Sequence, residues 1–352
     1  MSRAVRIAVL KTAIRIQSAK ANISKMCILA CGLDIRNDFP LVVLHLRDEH
    51  ISRETLGPSY DDPIIAAKDT ISGGSFMGFN VLTGAFAALT NVRLKGGAQP
   101  PQAASRGKLV QSILERNWED GDNYAFPQSL STLPSSDSDP ALRPLGSDFA
   151  SFNLLCGRIC VRKDACDPKP LLQLISNRSW LPRLTEKPSL GFVSNVPAGR
   201  VTCFSNGTLS ARWRKINWFR DAVSACIAKA PHAPSDGLES SRKAARLLFE
   251  SMQAAVLQHH LPFDEAELAA CEDEADIALS ELPELAERRL RRHVFLPPPS
   301  DPSQALEPTF LVTRSLSAVI VTGELVHYFY LDTTGFPALG PLFHRTIAVP
   351  RL

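Results

Sequence analysis

No acidic residue occurs in the first 25 positions, and no apolar run anywhere approaches the roughly 18 residues a membrane-crossing helix needs. The cysteines form no CxxC pair, and the cluster Cys156, Cys160 and Cys166 has no common zinc spacing. No repeat of about 20–50 residues is visible, which excludes a solenoid or propeller. A formal charge of +3 is too small to argue for nucleic acid as a partner.

What is present is ordinary for a folded chain: 45% hydrophobic and 21% charged residues argue against disorder. The 352 residues can bury one large core or two small ones. The eight cysteines are scattered, which reads as buried free thiols in a reducing compartment. The first 25 residues carry Arg3, Arg6, Lys11, Arg15, Lys20 and Lys25 among Ser, Ala and Ile. That is the composition of a mitochondrial transit peptide, and it lacks the apolar core of a secretory signal. The alternative is a start codon placed too early, with Met26 the initiator. Either reading allows the mature chain to begin at Cys27.

Two apolar runs, 27–31 and 41–46, flank a polar connection from Asp34 to Pro40 and predict a β-hairpin. Its first strand is headed by Cys27 and its second ends in Arg47-Asp48-Glu49. A cation beside a thiol lowers its pKa, although charges at a strand end are also common as a plain solvated edge. Residues 52–70 read as a polar connection with turn signals at Gly57-Pro58 and Asp62-Pro63. Residues 76–90 read as two strands around Thr83-Gly84, closed by Asn91. Gly73-Gly74 suits either a turn or a close backbone approach. A helix is expected from Lys108 to Trp118, opened by Ser105-Arg106-Gly107, with Leu109, Val110, Ile113 and Leu114 inward. Arg106 is read as either solvated or set at a pocket mouth.

Strands are expected over 150–161 and 201–204, the latter delivering Ser205-Asn206-Gly207, with Ser194-Asn195 as a competing Ser-Asn pair that lacks the Thr208-Leu209 and Trp213 that follow the later one. A helix over 213–228 is expected to turn Trp218, Ala222 and Cys226 to the core. Two or three further helices fill 237–292. Their charge runs, acidic at 264–276 and basic at Arg288, Arg289, Arg291 and Arg292, read as solvated faces or as an anion-binding patch. A last hairpin turns at Gly323, with Arg314 just upstream. Loop inserts are expected near 120–147 and 297–308. Strands, helix, strands, helices, strands make the class α+β with mostly antiparallel sheets.

Several blocks carry a resemblance, in order: Met26-Cys27-Ile28-Leu29, Arg47-Asp48-Glu49, Gly73-Gly74-Ser75-Phe76-Met77-Gly78, Ala88-Leu89-Thr90-Asn91, Ser105-Arg106-Gly107-Lys108-Leu109-Val110, Ser205-Asn206-Gly207-Thr208-Leu209 with Trp213-Arg214-Lys215, His293-Val294-Phe295-Leu296-Pro297 and Thr313-Arg314-Ser315-Leu316-Ser317. Phe152-Asn153-Leu154-Leu155 is a weaker block. Over residues 26–330 the chain resembles the NRDE family, the transport and Golgi organization protein 2-like proteins. It departs from the family pattern at Leu46, where the name-giving Asn stands, at Phe76 for Trp, and at Arg212 for Pro. The resemblance implies a single NRDE-family domain over 26–352 behind a 1–25 extension.

It further implies a four-layer αββα sandwich of N-terminal nucleophile hydrolase type, similar to the choloylglycine-hydrolase branch. On that likeness the site is Cys27, Arg47, Asp48, Asn91, Asn206 and Arg314. A Cys27 thiolate would attack an amide or thioester, its own α-amine would carry the proton, Asp48 would orient that amine, and Asn91 and Asn206 would bind the oxyanion. The chemistry requires Cys27 to be the first residue. The other implied role is a trafficking factor in Golgi organization and protein secretion, holding a small acyl or haem-like ligand. No cofactor is required; haem would be a transported ligand, with Cys27, His45 or His50 as candidate axial groups. The resemblance implies a mitochondrial or cytoplasmic location with Golgi association, and peripheral membrane contact without a spanning segment.

Overall fold

The computed structural model describes residues 26–92, 105–116, 149–160, 170–177, 192–207, 209, 211, 213–233, 237–258, 294–296 and 311–350. The expected 1–25 extension, both loop inserts and the charge runs of 259–292 lie outside the described residues.

Strands β1 (Met26–Arg36) and β2 (Phe39–His50) form the opening hairpin, each longer than its apolar run predicts. The expected connection over 34–40 shrinks to a turn at Asn37-Asp38. Arg36 grips Asp38 through two hydrogen bonds of 2.9 and 2.6 Å. Asp34 takes a positive φ of 49° within the bulge between Leu33 and Arg36. A local ion pair and a bulge thus carry the strands through residues whose polarity suggested a loop.

The connection expected over 52–70 contains two further strands, β3 (Thr55–Leu56) and β4 (Ile64–Asp69). β5 (Ser75–Asn80) and β6 (Ala85–Asn91) flank the Thr83-Gly84 turn as expected. Helix α1 (Arg106–Glu115) starts two residues early and buries Leu109, Val110, Ile113 and Leu114. Then follow β7 (Phe152–Arg158), β8 (Leu171–Ser176), β9 (Phe192–Asn195) and β10 (Arg200–Phe204). Helices α2 (Arg214–Lys229) and α3 (Leu238–Gln258) lead to β11 (Leu311–Thr322), β12 (Leu325–Asp332) and β13 (Phe343–Ala348). β11 and β12 turn at Gly323, whose φ is +52°.

The strands make two sheets, one ordered β10-β1-β2-β11-β12-β13 and the other running β3 to β9 in sequence. Every pairing among the described strands is antiparallel, so the α+β expectation is met. Strand alternation sorts the side chains into layers. Leu29, Cys31, Leu41 and Val43 meet Ile65, Met77, Phe79 and Phe86 between the sheets. Ile28, Ala30, Leu44 and Leu46 point the other way, against Phe219, Val223, Leu248 and Phe249 of α2 and α3. On the far side, Ala87, Leu89 and Leu154 pack on α1. The layers therefore run helices, sheet, sheet, helix.

The face expected for α2 is rotated. Ile216, Phe219, Val223, Cys226 and Ile227 are buried, whereas Trp218 and Ala222 are only partly covered. The branched and aromatic stripe takes the sheet because it removes more apolar surface from water than an alanine does.

Candidate functional site

The register of β1 against β2 sets Cys27 opposite Arg47 and residue 26 opposite Asp48. Alternation turns Cys27 and Arg47 into the space between the sheets and sends Asp48 to the helix side. Cys27 is 5% exposed. Its backbone is clamped by the Ser205-Asn206-Gly207 turn at the end of β10. The Cys27 N–H donates to Asn206 Oδ1 at 2.6 Å, and Ser205 Oγ donates to the Cys27 carbonyl at 2.7 Å. Asn206 Nδ2 donates in turn to the Asn91 carbonyl at 2.8 Å. Asn206 therefore holds the Cys27 peptide through its oxygen and directs one of its two N–H donors to the Asn91 carbonyl.

The turn is itself pinned to the second sheet. Asn153 Nδ2 donates to the Ser205 and Gly207 carbonyls at 3.2 and 3.0 Å, and Thr90 Oγ1 donates to the Ser205 carbonyl at 2.9 Å. Gly207 leaves room for the indole of Trp213, since a Cβ there would stand 3.3 Å from that ring.

Arg47 is committed to carboxylates. Its Nη2 donates to Asp69 Oδ2 at 2.7 Å and to Glu49 Oε2 at 3.3 Å, and its Nη1 to Thr55 Oγ1 at 3.0 Å. Arg53 completes the cluster on Asp69 at 2.5 and 3.0 Å. The Arg47 guanidinium also lies 5.1 Å from the centre of the Phe76 ring. Burial pushes the Cys27 thiol up to about 12; Asp48 adds to the rise, and Arg47 offsets only part of it. At neutral pH the thiol is protonated, contrary to the activation that a neighbouring arginine suggested.

Asp48 accepts from Thr313 Oγ1 at 2.7 Å through Oδ1, while its buried Oδ2 has no hydrogen-bond partner among the described residues. Burial raises its carboxyl to about 6, against the pull of the buried Lys215 and the Thr313 hydroxyl. Lys215 stands 5.2 Å over the Trp213 ring. Arg314 occupies the bulge between Thr313 and Ser315 and donates to the Ile51 carbonyl. It is not among the residues that line the Cys27 pocket.

That pocket has a volume of about 220 Å³ and is walled by Cys27, Arg47, Phe76, Asn91 and Arg106, among others. The glycine blocks close it. Gly73 makes the turn at φ +67°, and Gly74 lies against Gly107 so tightly that a Cβ on Gly74 would stand 2.7 Å from Gly107 Cα. Of the six residues proposed from sequence, Cys27, Arg47 and Asn91 line the pocket, Asp48 and Asn206 flank Cys27 from behind, and Arg314 sits apart.

The blocks that carry Cys27, Arg47, Gly74, Asn91 and Arg106 thus meet at one pocket, and a comparison over most of the chain agrees with the resemblance. The profile described as "Transport and Golgi organisation 2" matches residues 26–323. The chain belongs to the transport and Golgi organisation 2 family. No curated protein matches it closely enough to count as a relative. Membership makes it a protein of the transport and Golgi organisation type, and no described helix is long and apolar enough to cross a membrane.

Asp69 and Arg53 were not singled out from the sequence, and Asn153 and Lys215 entered only as members of family blocks, without a role at the site. Asp69 had a signal, since an Asp shortly before Gly73-Gly74 suits an Asx turn; its Oδ1 accepts the Ser72 N–H at 2.8 Å. Lys215 sits in the Trp213-Arg214-Lys215 block of this transport and Golgi organisation 2 chain. The haem-ligand candidates do not gather. His45 Nε2 donates to the Leu89 carbonyl at 3.0 Å, and His50 pairs with Ser52. Neither lines the pocket beside Cys27. A larger cavity, about 690 Å³, lies between β10 and α2 and holds none of the six residues. Volume alone would have chosen it; the converging polar groups favour the Cys27 pocket.

Proposed function

We propose that this member of the transport and Golgi organisation 2 family binds a small acyl group in the Cys27 pocket as part of a trafficking role. The observation that carries the reading is Cys27 in the wall of a polar pocket of about 220 Å³ with a thiol near pKa 12, beside an arginine already spent on Asp69 and Glu49. Such a pocket holds a ligand better than it cleaves one. Its volume falls below the roughly 300–1,000 Å³ of sites that take a whole drug-sized molecule. It suits the acyl end of a larger compound and not a macrocycle, so an acyl ligand is favoured over haem. On this reading the protein acts in the mitochondrion or cytoplasm with Golgi association, at a membrane surface at most peripherally.

A second reading, a cysteine amidohydrolase or acyltransferase of N-terminal nucleophile type, draws on a separate observation. If Cys27 became the first residue, its α-amine would lie where Asn206 Oδ1 now takes the amide at 2.6 Å, with the unpartnered Asp48 Oδ2 nearby. An amine of pKa about 7.7–8.0 would take the thiol proton. The thiolate would add to an amide or thioester carbonyl, the leaving group would depart with that proton, and water would release the acyl group. The layer order of helices, sheet, sheet, helix supports the likeness.

The intact mass of protein from its own cells, with iodoacetamide labelling at pH 7, separates the two. Retention of residue 26, slow Cys27 labelling and saturable binding of acyl-coenzyme A support the binding role, with haem as the comparison ligand. A chain starting at Cys27 with a free amine and fast labelling lost in Cys27→Ala supports the hydrolase.

A further inference from the structure

The charges around the Cys27 pocket do not balance. Arg47 and Arg53 face Asp69 and Glu49, with Arg47 at 2.7 Å and Arg53 at 2.5 Å from Asp69 Oδ2, and Arg47 at 3.3 Å from Glu49. Two cations meet two carboxylates. Arg106 is a third cation in the same wall. Its guanidinium donates one hydrogen bond, from Nη1 to the Ser151 carbonyl at 2.9 Å, and no carboxylate among the described residues pairs with it. A guanidinium has five N–H donors in a fixed fork, so most of its capacity is unused. Ser105 beside it leaves the start of α1 uncapped by its side chain and also lines the pocket.

The position is enforced. Arg106 is flanked by Ser105 and Gly107, and the Gly107 backbone is locked against Gly74, where an added Cβ would stand 2.8 Å from Gly74 Cα. The first turn of α1 is thereby pressed into the pocket wall, and the side chain it carries is partly buried there. Burial lowers the Arg106 pKa to about 10, and Cys27 and Glu49 oppose that drop. The group is still a cation at neutral pH. A cation drawn partly out of water without a counter-ion is costly unless a ligand supplies one.

We propose that Arg106 is the anion anchor of the Cys27 pocket, so that the ligand is an acyl compound carrying a carboxylate or phosphate-type group a few bonds from its carbonyl. This rests on reading the pocket as acyl-binding and adds the class of ligand. The guanidinium fork matches either oxyanion. The pocket volume of about 220 Å³ keeps anion and carbonyl close together. The Arg106 end takes the charge, and the Cys27 end faces the carbonyl.

The test uses calorimetric titration of the full chain with three probes: N-acetylglycine, its neutral methylamide, and N-acetyl-aminomethylphosphonate. The wild type is expected to bind at least one anionic probe about ten- to a hundredfold more tightly than the methylamide, as one charge-assisted hydrogen-bond pair provides. Which anion wins distinguishes a carboxylate ligand from a phosphate one. Arg106→Met should abolish the preference for an anionic probe over the methylamide, and Arg106→Lys should keep part of it. The Lys variant and the wild-type preference stand as readouts if the Met variant does not fold. Equal binding of all three probes to the wild type, or a preference that survives in Arg106→Met, overturns the anchor while the acyl pocket stands. Binding of none of the three overturns both.

Discussion

Asp48 carries a conflict that its neighbours only partly resolve. Its carboxyl is buried on the helix side of β2, with one oxygen on Thr313 and the other without a partner. Burial raises its pKa from 3.8 to about 6. The folded protein therefore binds this proton more tightly than the unfolded chain does, and stability from this group is present at low pH and lost as pH rises from about 4 to about 6. The difference corresponds to on the order of 3 kcal/mol. Asp48→Asn keeps the Thr313 bond and removes the charge, so it should raise the urea midpoint at pH 7, with little change near pH 4. A midpoint that drops at pH 7 would mean that the charge is needed by Lys215 more than it costs. Sequence showed Arg47 and Asp48 side by side but could not separate their roles. Strand alternation sends Arg47 to the Asp69–Glu49 cluster between the sheets and Asp48 to the helix side near Lys215, and only the register of β1 and the arrival of α2 decide which goes where. The same holds for Asn206. The likeness named the residue, but whether its amide faces a ligand or the Cys27 peptide depends on the backbone of the turn that carries it.

At the scale of elements, the hairpins and helix α1 were legible because their signals are local: apolar runs, the Gly323 turn, and a stripe at Leu109, Val110, Ile113 and Leu114. β13 was not, because its residues are half-exposed along the strand and it exists by pairing with β12. β4 was hidden in a polar stretch as a run of only Ile64 to Ala67 behind Pro63. The two glycine blocks were read separately, as turn and as helix start. Together they form one contact: Gly74 against Gly107 fixes the spacing between β5 and the first turn of α1. Gly107→Ala puts a methyl group 3.0 Å from the Gly74 carbonyl carbon and 3.1 Å from the Ser75 nitrogen. Both are backbone atoms, so the elements must separate. The expected cost is about 1–3 kcal/mol, read as a lower urea midpoint. Arg106 should retreat from the pocket with the helix, so anion preference should fall as well. A variant with wild-type stability and preference would show that the contact does not set the pocket.

For the whole molecule the response to acid draws on two buried histidines, His45 and His327, and on the half-buried His344. His45 lies between the sheets, and burial holds it down to about 4. His327 and His344 lie at the β12–β13 edge beside α3, where burial lowers them to about 3 and about 4, helped by Arg242 on both and by Arg246 on His344. His327 is locked neutral among hydroxyls, with Thr322 Oγ1 2.7 Å from Nε2 and Thr346 Oγ1 3.1 Å from Nδ1. Each ring binds its proton less readily in the fold than in the unfolded chain. Their stabilising contribution is complete above pH 6.5 and drains away as pH falls toward 4. Asp48 works in the opposite direction over part of the same window, so the wild type should lose stability on acidification more gently than its histidines alone require. Urea unfolding at pH 7, 5.5 and 4.5 should show a falling midpoint. The fall should be shallower in His327→Gln, which keeps hydrogen-bonding capacity without a titrating ring, and steeper in Asp48→Asn. A midpoint that does not move between pH 7 and 4.5 would mean that the rings titrate alike in the folded and unfolded states.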